Sequence, residues 1–213
     1  FMQFWIYRRI TFSFVRTAAV ILACLCAAQL THSKSLLVYG DSLSAGYGIN
    51  PKDGWVELLQ AELGTDHTLI NASISGETSS GGLARIEVTL DELEPDLVLL
   101  ELGANDGLRG GSVDLLKENL RGMITQIRNR DIDLVLIGIS VPPTYGPRYI
   151  DSFRAVYKDL AAEFEVPLFD FYREEFFLKD NYIQADGLHP TAAAQPEVRD
   201  LVLDFLRAEK LVD

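Results

Sequence analysis

The sequence predicts an α/β fold, a three-layer α/β/α sandwich around one five-stranded parallel sheet. Short apolar runs alternate with longer segments that carry apolar residues at helical spacing, which is typical of parallel βα units. The central runs are nearly continuous in Leu, Val and Ile, as expected of strands covered on both faces. Polar residues follow the first three runs, and with right-handed crossovers the loops after parallel strands meet at one edge of the sheet.

Five apolar runs have the length of strands. They cover residues 36–39, 68–72, 97–102, 134–139 and 166–169. Five helical patterns lie between and after these runs, over residues 55–63, 83–93, 113–130, 151–164 and 192–210. In the third helix the apolar residues form one stripe and the charged residues lie largely off it, so we interpret such stripes as core-facing surface.

Residues 1–33 have the pattern of a secretory signal peptide. Three arginines precede an uncharged apolar run over residues 17–28, and small and polar residues follow it. The run is shorter than the ~20 apolar residues of a membrane span, so we expect no stable membrane insertion after cleavage. Cleavage before Lys34 would leave one domain, residues 34–213, in the periplasm or outside the cell. Cleavage near Ala28 and lipoprotein anchoring at Cys24 are alternatives.

Charge and cysteine content exclude several classes of function. The formal net charge is −12, which argues against nucleic acid and anionic lipid as partners. Both cysteines, Cys24 and Cys26, lie in the predicted signal peptide, so the remaining chain has neither a disulfide nor a thiolate metal site. His67 and His189 lack metal-ligand spacing from other His or Cys residues. We therefore expect no metal, and we also predict a monomer.

Ser42 is the candidate nucleophile. It directly follows the first predicted strand, where N–H groups at the start of a helix can hold a developing anion. His189 is the candidate base and Asp186 its partner, because an aspartate three residues upstream on the same loop can fold back onto the imidazole Nδ1. Each segment taken alone also suits an ordinary turn that leads into a helix.

Three groups are candidates for an oxyanion hole, namely the backbone N–H groups of Ser42 and Gly76 and the side-chain amide of Asn105. Gly76 would allow close backbone approach, since it has no side chain. A turn glycine at 76 and an Asx-turn or helix cap at 105 explain these residues equally well one at a time. Together with the Asp186 and His189 segment, these residues arrive in a fixed order, each beside a strand end or the last helix, and this favours acyl transfer by serine.

The loop over residues 141–150 is expected to lie at the same edge of the sheet and to wall an acyl groove. We predict substrate contacts from Tyr145, Gly146 and Pro147. Phe171, Phe176 and Phe177 could line the same groove. The alternatives are a rigid proline-rich connection for the loop and plain core packing for the phenylalanines.

Four blocks of the sequence resemble those of the SGNH, or GDSL-type, hydrolases. The blocks are Gly40-Asp41-Ser42-Leu43, Gly76, Gly103-Ala104-Asn105-Asp106 and Asp186-Gly187-Leu188-His189. The likeness is greatest to the family's bacterial periplasmic thioesterase, lysophospholipase and arylesterase group. It implies a flavodoxin-like sheet, an acyl-enzyme on Ser42 with His189 and Asp186 as base and partner, and cofactor-free hydrolysis of aryl esters, acyl-CoA and lysophospholipids.

Three other functions compete with an esterase. An α/β-hydrolase is disfavoured because there is no Gly-x-Ser-x-Gly segment and Ser42 lies near the amino terminus. A carbohydrate O-deacetylase with the same triad stays open. A non-catalytic flavodoxin-like binding module has no need of the Asp186 and His189 pair, which argues against it.

Overall fold

The computed structural model describes residues 33–171 and 179–213. Within them, five strands form one parallel sheet. The strands are β1 (Ser35–Gly40), β2 (Thr68–Asn71), β3 (Leu97–Glu101), β4 (Asp133–Gly138) and β5 (Leu168–Asp170). Their order is β2-β1-β3-β4-β5, and every neighbouring pair is parallel. The predicted five-stranded parallel sheet is confirmed.

The described chain also forms helices on both faces of this sheet. They are α1 (Ser42–Ala45), α2 (Trp55–Leu63), α3 (Ser79–Leu93), α4 (Ala104–Leu108), α5 (Val113–Arg128), α6 (Pro147–Phe164) and α7 (Gln195–Ala208). Short 3₁₀ turns cover Pro51–Asp53 and Pro143–Tyr145. None of the helices in the described ranges is long and apolar enough to cross a membrane.

Several helix boundaries differ from the predicted ones for local reasons. Helix α3 starts at Ser79 instead of 83, because the Thr78 side chain accepts a hydrogen bond from the Gly81 N–H and caps the helix. Helix α6 starts at Pro147 instead of 151, since proline suits the first helical position. Helix α7 starts at Gln195 instead of 192, after a turn in which the Ala194 N–H donates to Thr191 O.

The core consists of two apolar layers, one on each face of the sheet. Alternation along β1 directs Leu37 to the layer that packs against α3, α5 and α6. Val38 contributes to the opposite layer, together with residues of α2 and α7 such as Trp55 and Val202. Both layers are fully buried at the sheet, so the three-layer sandwich is confirmed.

The strand order positions the site. The chain leaves β1 for β2 on one side and later returns to β3 on the other side, so the direction of winding reverses beside β1. In open α/β sheets, ligands bind outside the carboxyl ends of the strands at such a reversal. Gly40 and Glu101, the last residues of β1 and β3, are paired in register. The loop that carries Ser42 therefore lies next to the loop that carries Asn105.

Residues 1–32 and 172–178 lie outside the described residues. The first range contains nearly all of the predicted signal peptide over 1–33, and the second contains Phe176 and Phe177. The predictions made for these residues therefore stay predictions.

Candidate active site

Ser42 is the first residue of α1, immediately after the end of β1. The Asp41 carboxylate accepts a hydrogen bond from the Leu43 N–H at 3.1 Å and so caps this helix. Gly46 ends the helix in the left-handed region, at φ 71°, and its N–H donates to Ser42 O. A four-residue helix between a cap and a glycine presents the Ser42 hydroxyl at the carboxyl edge of the sheet.

His189 and Asp186 lie in line with Ser42. The His189 Nε2 atom is 2.8 Å from Ser42 Oγ, and His189 Nδ1 is 2.7 Å from Asp186 Oδ2. The other carboxylate oxygen of Asp186 accepts the N–H groups of Leu188 and His189 at 2.9 and 3.1 Å. The structure thus brings together a hydroxyl, an imidazole and a carboxylate in the order needed for an activated nucleophile.

The hydrogen bonds to Asp186 also decide its charge. Partial burial raises the pKa of this carboxyl group, but hydrogen bonds from the His189 ring and from the Leu188 and His189 N–H groups outweigh burial and hold the pKa below its ordinary value. Asp186 is therefore ionised at neutral pH. A negative charge on this side of the ring favours a proton on Nδ1 and leaves Nε2 free to accept one from Ser42.

Two residues that the sequence did not single out hold the His189 loop. The Gln184 amide donates to Tyr47 O at 2.8 Å and to Pro190 O at 2.9 Å, which ties this loop to the segment after α1. The Tyr47 ring lies 4.6 Å from the His189 ring, centroid to centroid. No sequence signal distinguishes this glutamine or this tyrosine, because their partners are backbone atoms and a ring from distant segments.

Asn105 bridges the two other loops at this edge. Its side-chain amide donates to Asp41 Oδ2 at 3.2 Å and to Glu77 O at 2.9 Å. Gly76, just before Glu77, has a left-handed φ of 83° that favours glycine. The Gly76 turn, Asn105 and the Ser42 turn are therefore neighbours, as expected. Their role as oxyanion donors stays a prediction.

The Arg85 side chain anchors the loop after Gly76. The Arg85 guanidinium forms an ion pair with Glu77 at 2.8 Å and lies 3.9 Å from the centroid of the buried Tyr39 ring. Such stacking on an aromatic ring stabilises a partly desolvated arginine. The position of the Glu77 carbonyl, and with it one partner of Asn105, is thereby fixed.

Two buried carboxyl groups lie beneath the nucleophile turn. Asp41 and Glu101 both have no exposed surface. Glu101 Oε2 accepts the Asp41 N–H at 3.2 Å and the Ser44 hydroxyl at 2.8 Å. Burial raises the pKa of Asp41 to about 6 and raises the pKa of Glu101 well above its usual value. From the sequence alone, residue 101 is predicted only as part of a strand.

A mainly apolar cavity of about 310 Å³ opens at Ser42 and His189. Val141, Pro142 and Pro143 from the predicted loop line it, as does Phe171. Lining residues from other segments include Leu43, Ala104, Leu108, Ile139, Phe169, Ile183, Leu188, Pro190, Val198 and Leu201. A cavity with these walls suits an acyl chain better than a polar substrate.

Tyr145, Gly146 and Pro147 are not among the residues that line this cavity. The Tyr145 hydroxyl instead donates to Leu108 O at 2.6 Å, and its ring packs against the core. Gly146 is the N-cap of α6 and Pro147 is its first residue, so both lie at the carboxyl end of the loop. The first half of the loop therefore forms the wall, and substrate contact by the second half stays a prediction.

The other described histidine lies elsewhere. His67 is buried at the amino end of β2, where its Nδ1 accepts the Lys34 N–H at 3.2 Å. No cluster of three or more His, Cys, Asp or Glu residues that could hold a metal ion occurs in the described ranges.

Comparison with known proteins gives a family and close relatives. Residues 38–195 match the model of the GDSL-like lipase/acylhydrolase family. The chain is 46% identical over 190 residues to an arylesterase of Vibrio mimicus, and the aligned region covers 88% of this chain and 94% of the relative. It is 43% identical over 166 residues to thioesterase 1/protease 1/lysophospholipase L1 of Escherichia coli, over 78% of this chain and 80% of the relative.

A solved structure is similar as well. The esterase EstA from a Pseudoalteromonas species, in a crystal structure described as inhibited by monoethylphosphonate, superimposes with a TM-score of 0.79 and is 40% identical. The match covers 83% of this chain and 98% of that chain. The predicted resemblance is confirmed by these matches.

Proposed function

The chain belongs to the GDSL-like lipase/acylhydrolase family, and we propose on that premise that it is a serine hydrolase of carboxylic ester and thioester bonds. The observation that carries the proposal is the line of hydrogen bonds from Asp186 through His189 to Ser42 at the mouth of an apolar cavity. The names of the relatives, arylesterase, thioesterase and esterase, point to the same reaction class.

In the proposed reaction, His189 Nε2 accepts the Ser42 hydroxyl proton while Oγ attacks the carbonyl carbon. The resulting oxyanion faces the N–H groups of Ser42 and Gly76 and the Asn105 amide, which exchanges one of its two acceptors, Asp41 Oδ2 or Glu77 O, for the oxyanion. The imidazolium then protonates the leaving alcohol or thiol, and the acyl group stays on Oγ. A water molecule that gives its proton to His189 attacks the acyl-enzyme, and the carboxylic acid departs as Oγ regains a proton.

We propose that the cavity takes the acyl chain. The cavity has a volume of about 310 Å³ and mainly apolar walls, so it has room for an acyl chain of several methylene groups. Each methylene moved from water into an apolar wall contributes about 0.8 kcal/mol to binding. Medium-chain acyl groups, on aryl esters, acyl-CoA or lysophospholipids, are therefore the proposed substrates.

A hydrolysis panel tests this substrate class. We expect kcat/KM on p-nitrophenyl esters to rise with acyl length until the cavity is full, and we expect turnover of acyl-CoA and lysophosphatidylcholine. Acetylated sugars should be poor substrates, because an acetyl group leaves most of the cavity empty. If acetylated sugars were the best substrates, the O-deacetylase alternative would replace this proposal.

Covalent labelling tests the nucleophile. A serine-directed fluorophosphonate should modify one residue, Ser42, and abolish turnover. Peptide mapping locates the label, and the Ser42→Ala variant is the control that should stay unlabelled. A label on Ser44, or full activity in Ser42→Ala, would contradict the assignment. A non-catalytic binding module would show neither labelling nor turnover.

We further propose that residues 1–33 are a signal peptide and that the domain over 34–213 acts as a monomer in the periplasm or outside the cell. The three arginines and the apolar run over 17–28 support this proposal. The intact mass of exported protein should correspond to a chain without these residues. A mature chain that retains Arg16 would refute it, and light scattering tests the monomer.

A further inference from the structure

Glu101 fills the space directly beneath the nucleophile turn. It is the last residue of β3 and lies beside Gly40 in the sheet. A Cβ atom at position 40 would lie 2.5 Å from Glu101 Oε2, so only glycine leaves room for this side chain. The carboxyl group is therefore packed against the backbone that leads into Ser42.

One oxygen of Glu101 holds this turn. Oε2 accepts both the Asp41 N–H and the Ser44 hydroxyl, which lie on either side of Ser42 in the chain. The other oxygen, Oε1, is buried and receives no N–H or O–H donor from the described residues. Asp41 is also the acidic neighbour of Glu101, and the charge of its carboxylate opposes ionisation of Glu101. Two carboxyl groups can share a hydrogen bond only if one of them carries a proton.

The surroundings decide where that proton resides. Asp41 accepts the Leu43 N–H and the Asn105 amide, and the His189 ring also favours its charge. Glu101 is fully buried beside the Asp41 carboxylate. The other titratable groups of this region are Asp106 and the buried Tyr157 hydroxyl, which donates to Leu102 O. In the described ranges, no lysine or arginine forms an ion pair with Asp41 or Glu101.

We propose that Glu101 is a positioning residue that acts as an uncharged acid, donating its proton to Asp41 while its other oxygen holds the Asp41 N–H and the Ser44 hydroxyl. Asp41, fixed in this way, caps the helix of Ser42 and holds the Asn105 amide. The inference rests on the proposed function, because what Glu101 positions is the proposed nucleophile and one proposed oxyanion donor.

The decisive variant is Glu101→Gln. A carboxamide keeps the acceptor for Asp41 N–H and Ser44 and keeps a donor for the Asp41 carboxylate, but it does not ionise. We expect kcat/KM within about threefold of wild type at mildly acidic pH, because the hydrogen bonds are conserved. As pH rises, wild type should lose kcat when Glu101 ionises, so the ratio of Glu101→Gln to wild-type kcat should increase. KM should change little in either enzyme.

The opposite results overturn the proposal. If the reaction needs ionised Glu101, a folded Glu101→Gln loses most of its activity at all pH values. If Glu101 has only a packing role, the activity ratio does not change with pH. Glu101→Leu, which removes both hydrogen bonds, should lose about tenfold or more in kcat.

Thermal melts against pH provide a readout that does not depend on esterase activity. A carboxyl group whose folded pKa is raised contributes stability below its unfolded pKa, and this stability is lost as pH rises through the folded pKa. Glu101→Gln does not lose this stability, so the difference in Tm between Glu101→Gln and wild type should increase as pH rises. The control variant is Glu57→Gln, which changes an exposed carboxylate, and its difference in Tm from wild type should not increase with pH. If the wild-type chain hydrolyses no ester, the proposed function fails while these melts still decide the state of Glu101.

Discussion

Polar groups occur at both ends of the parallel sheet, but they are used differently. At the amino end they complete the backbone. The Asp96 carboxylate accepts the Ser35 N–H at 2.7 Å, His67 accepts the Lys34 N–H, and Lys34 forms an ion pair with Asp133 at 3.5 Å. Asp96 and His67 thus satisfy backbone N–H groups where a strand begins. An exposed ion pair such as Lys34–Asp133 contributes at most about 1 kcal/mol.

At the carboxyl end the polar side chains bond to one another. Asp186, His189 and Ser42 form one line, and a second line lies beneath it, in which Glu101 accepts the Ser44 hydroxyl and Asp41 accepts the Asn105 amide. Both lines end at the same turn, beside the apolar cavity. The difference shows that the residue type alone does not mark a site. A site is marked by side chains that are connected to each other and face a cavity.

The two histidines give the largest expected contrast. His189→Ala removes the base that takes the Ser42 proton, and loss of a triad base costs on the order of 10⁶ in kcat in serine hydrolases. His67→Gln, at the amino end, should stay within a fewfold of wild type because a glutamine can also accept the Lys34 N–H. Steady-state kinetics on both variants measure the contrast. A folded but inactive His67→Gln would abolish the distinction between the two ends.

Asp186→Asn should produce the next largest loss. The amide no longer favours the ring tautomer in which Nε2 accepts a proton, and losses of about 10⁴-fold are known for such changes. The ionisation of Asp186 also makes the stability of the fold depend on pH. Because the folded pKa of Asp186 is lowered, its ionised form stabilises the fold above the unfolded pKa, and this contribution is lost as pH falls below about 4.

Asp96→Asn is the control variant for Asp186→Asn. Asp96→Asn changes a carboxylate at the amino end, whose partner is the Ser35 N–H. It should leave kcat unchanged, while Asp186→Asn should be inactive yet folded in circular dichroism. Equal losses of activity in the two variants would mean that the carboxylates act only through stability.

Asn105→Ala tests the oxyanion role. A donor that acts on charge present only in the transition state should cost about 10² to 10³ in kcat and leave KM nearly unchanged. The amide is also bonded to Asp41 and Glu77, so a purely structural role predicts a loss of ~1 kcal/mol in stability with near-normal kcat. Melts and kinetics on one preparation distinguish the two. A destabilised but fully active variant would remove Asn105 from the site.

Much of this architecture was predictable from the sequence because it depends on local patterns. Apolar runs of strand length, nearly continuous in the central strands, predicted the five strands, and parallel winding brought the segments of Ser42, Asn105 and His189 to one edge. The short helices α1 and α4 were not predicted, since four or five residues are too few to show helical periodicity and such helices form only when packed.

Parts of the site could not be predicted, because they depend on packing between distant segments. Glu101 looks like the polar end of an apolar strand until the neighbouring strand places Gly40 and Asp41 against it. The far wall of the cavity comes from α7, through Val198 and Leu201, whose spacing alone indicates only a core-facing stripe.

The smallest expected effect concerns that wall. Leu201 lines the cavity and is only partly buried, so a larger ring there should occupy space that we assign to the acyl chain. Leu201→Trp should leave kcat/KM on acetyl esters unchanged and lower it on medium-chain esters. Each methylene excluded from the apolar wall is worth about 0.8 kcal/mol, or roughly fourfold, so the loss of two or three should exceed tenfold.

Val88→Trp is the matched control for this experiment. Val88 is exposed on α3 and does not line the cavity, so the same substitution there should not change the dependence on chain length. Kinetics on a series of p-nitrophenyl esters measure the slope of kcat/KM against chain length for both variants and wild type. If Leu201→Trp and wild type had the same slope, the acyl chain would lie outside the cavity. The carboxyl end of the sheet would then be distinguished from the amino end by its connected side chains alone, and the apolar cavity would have no part in the difference.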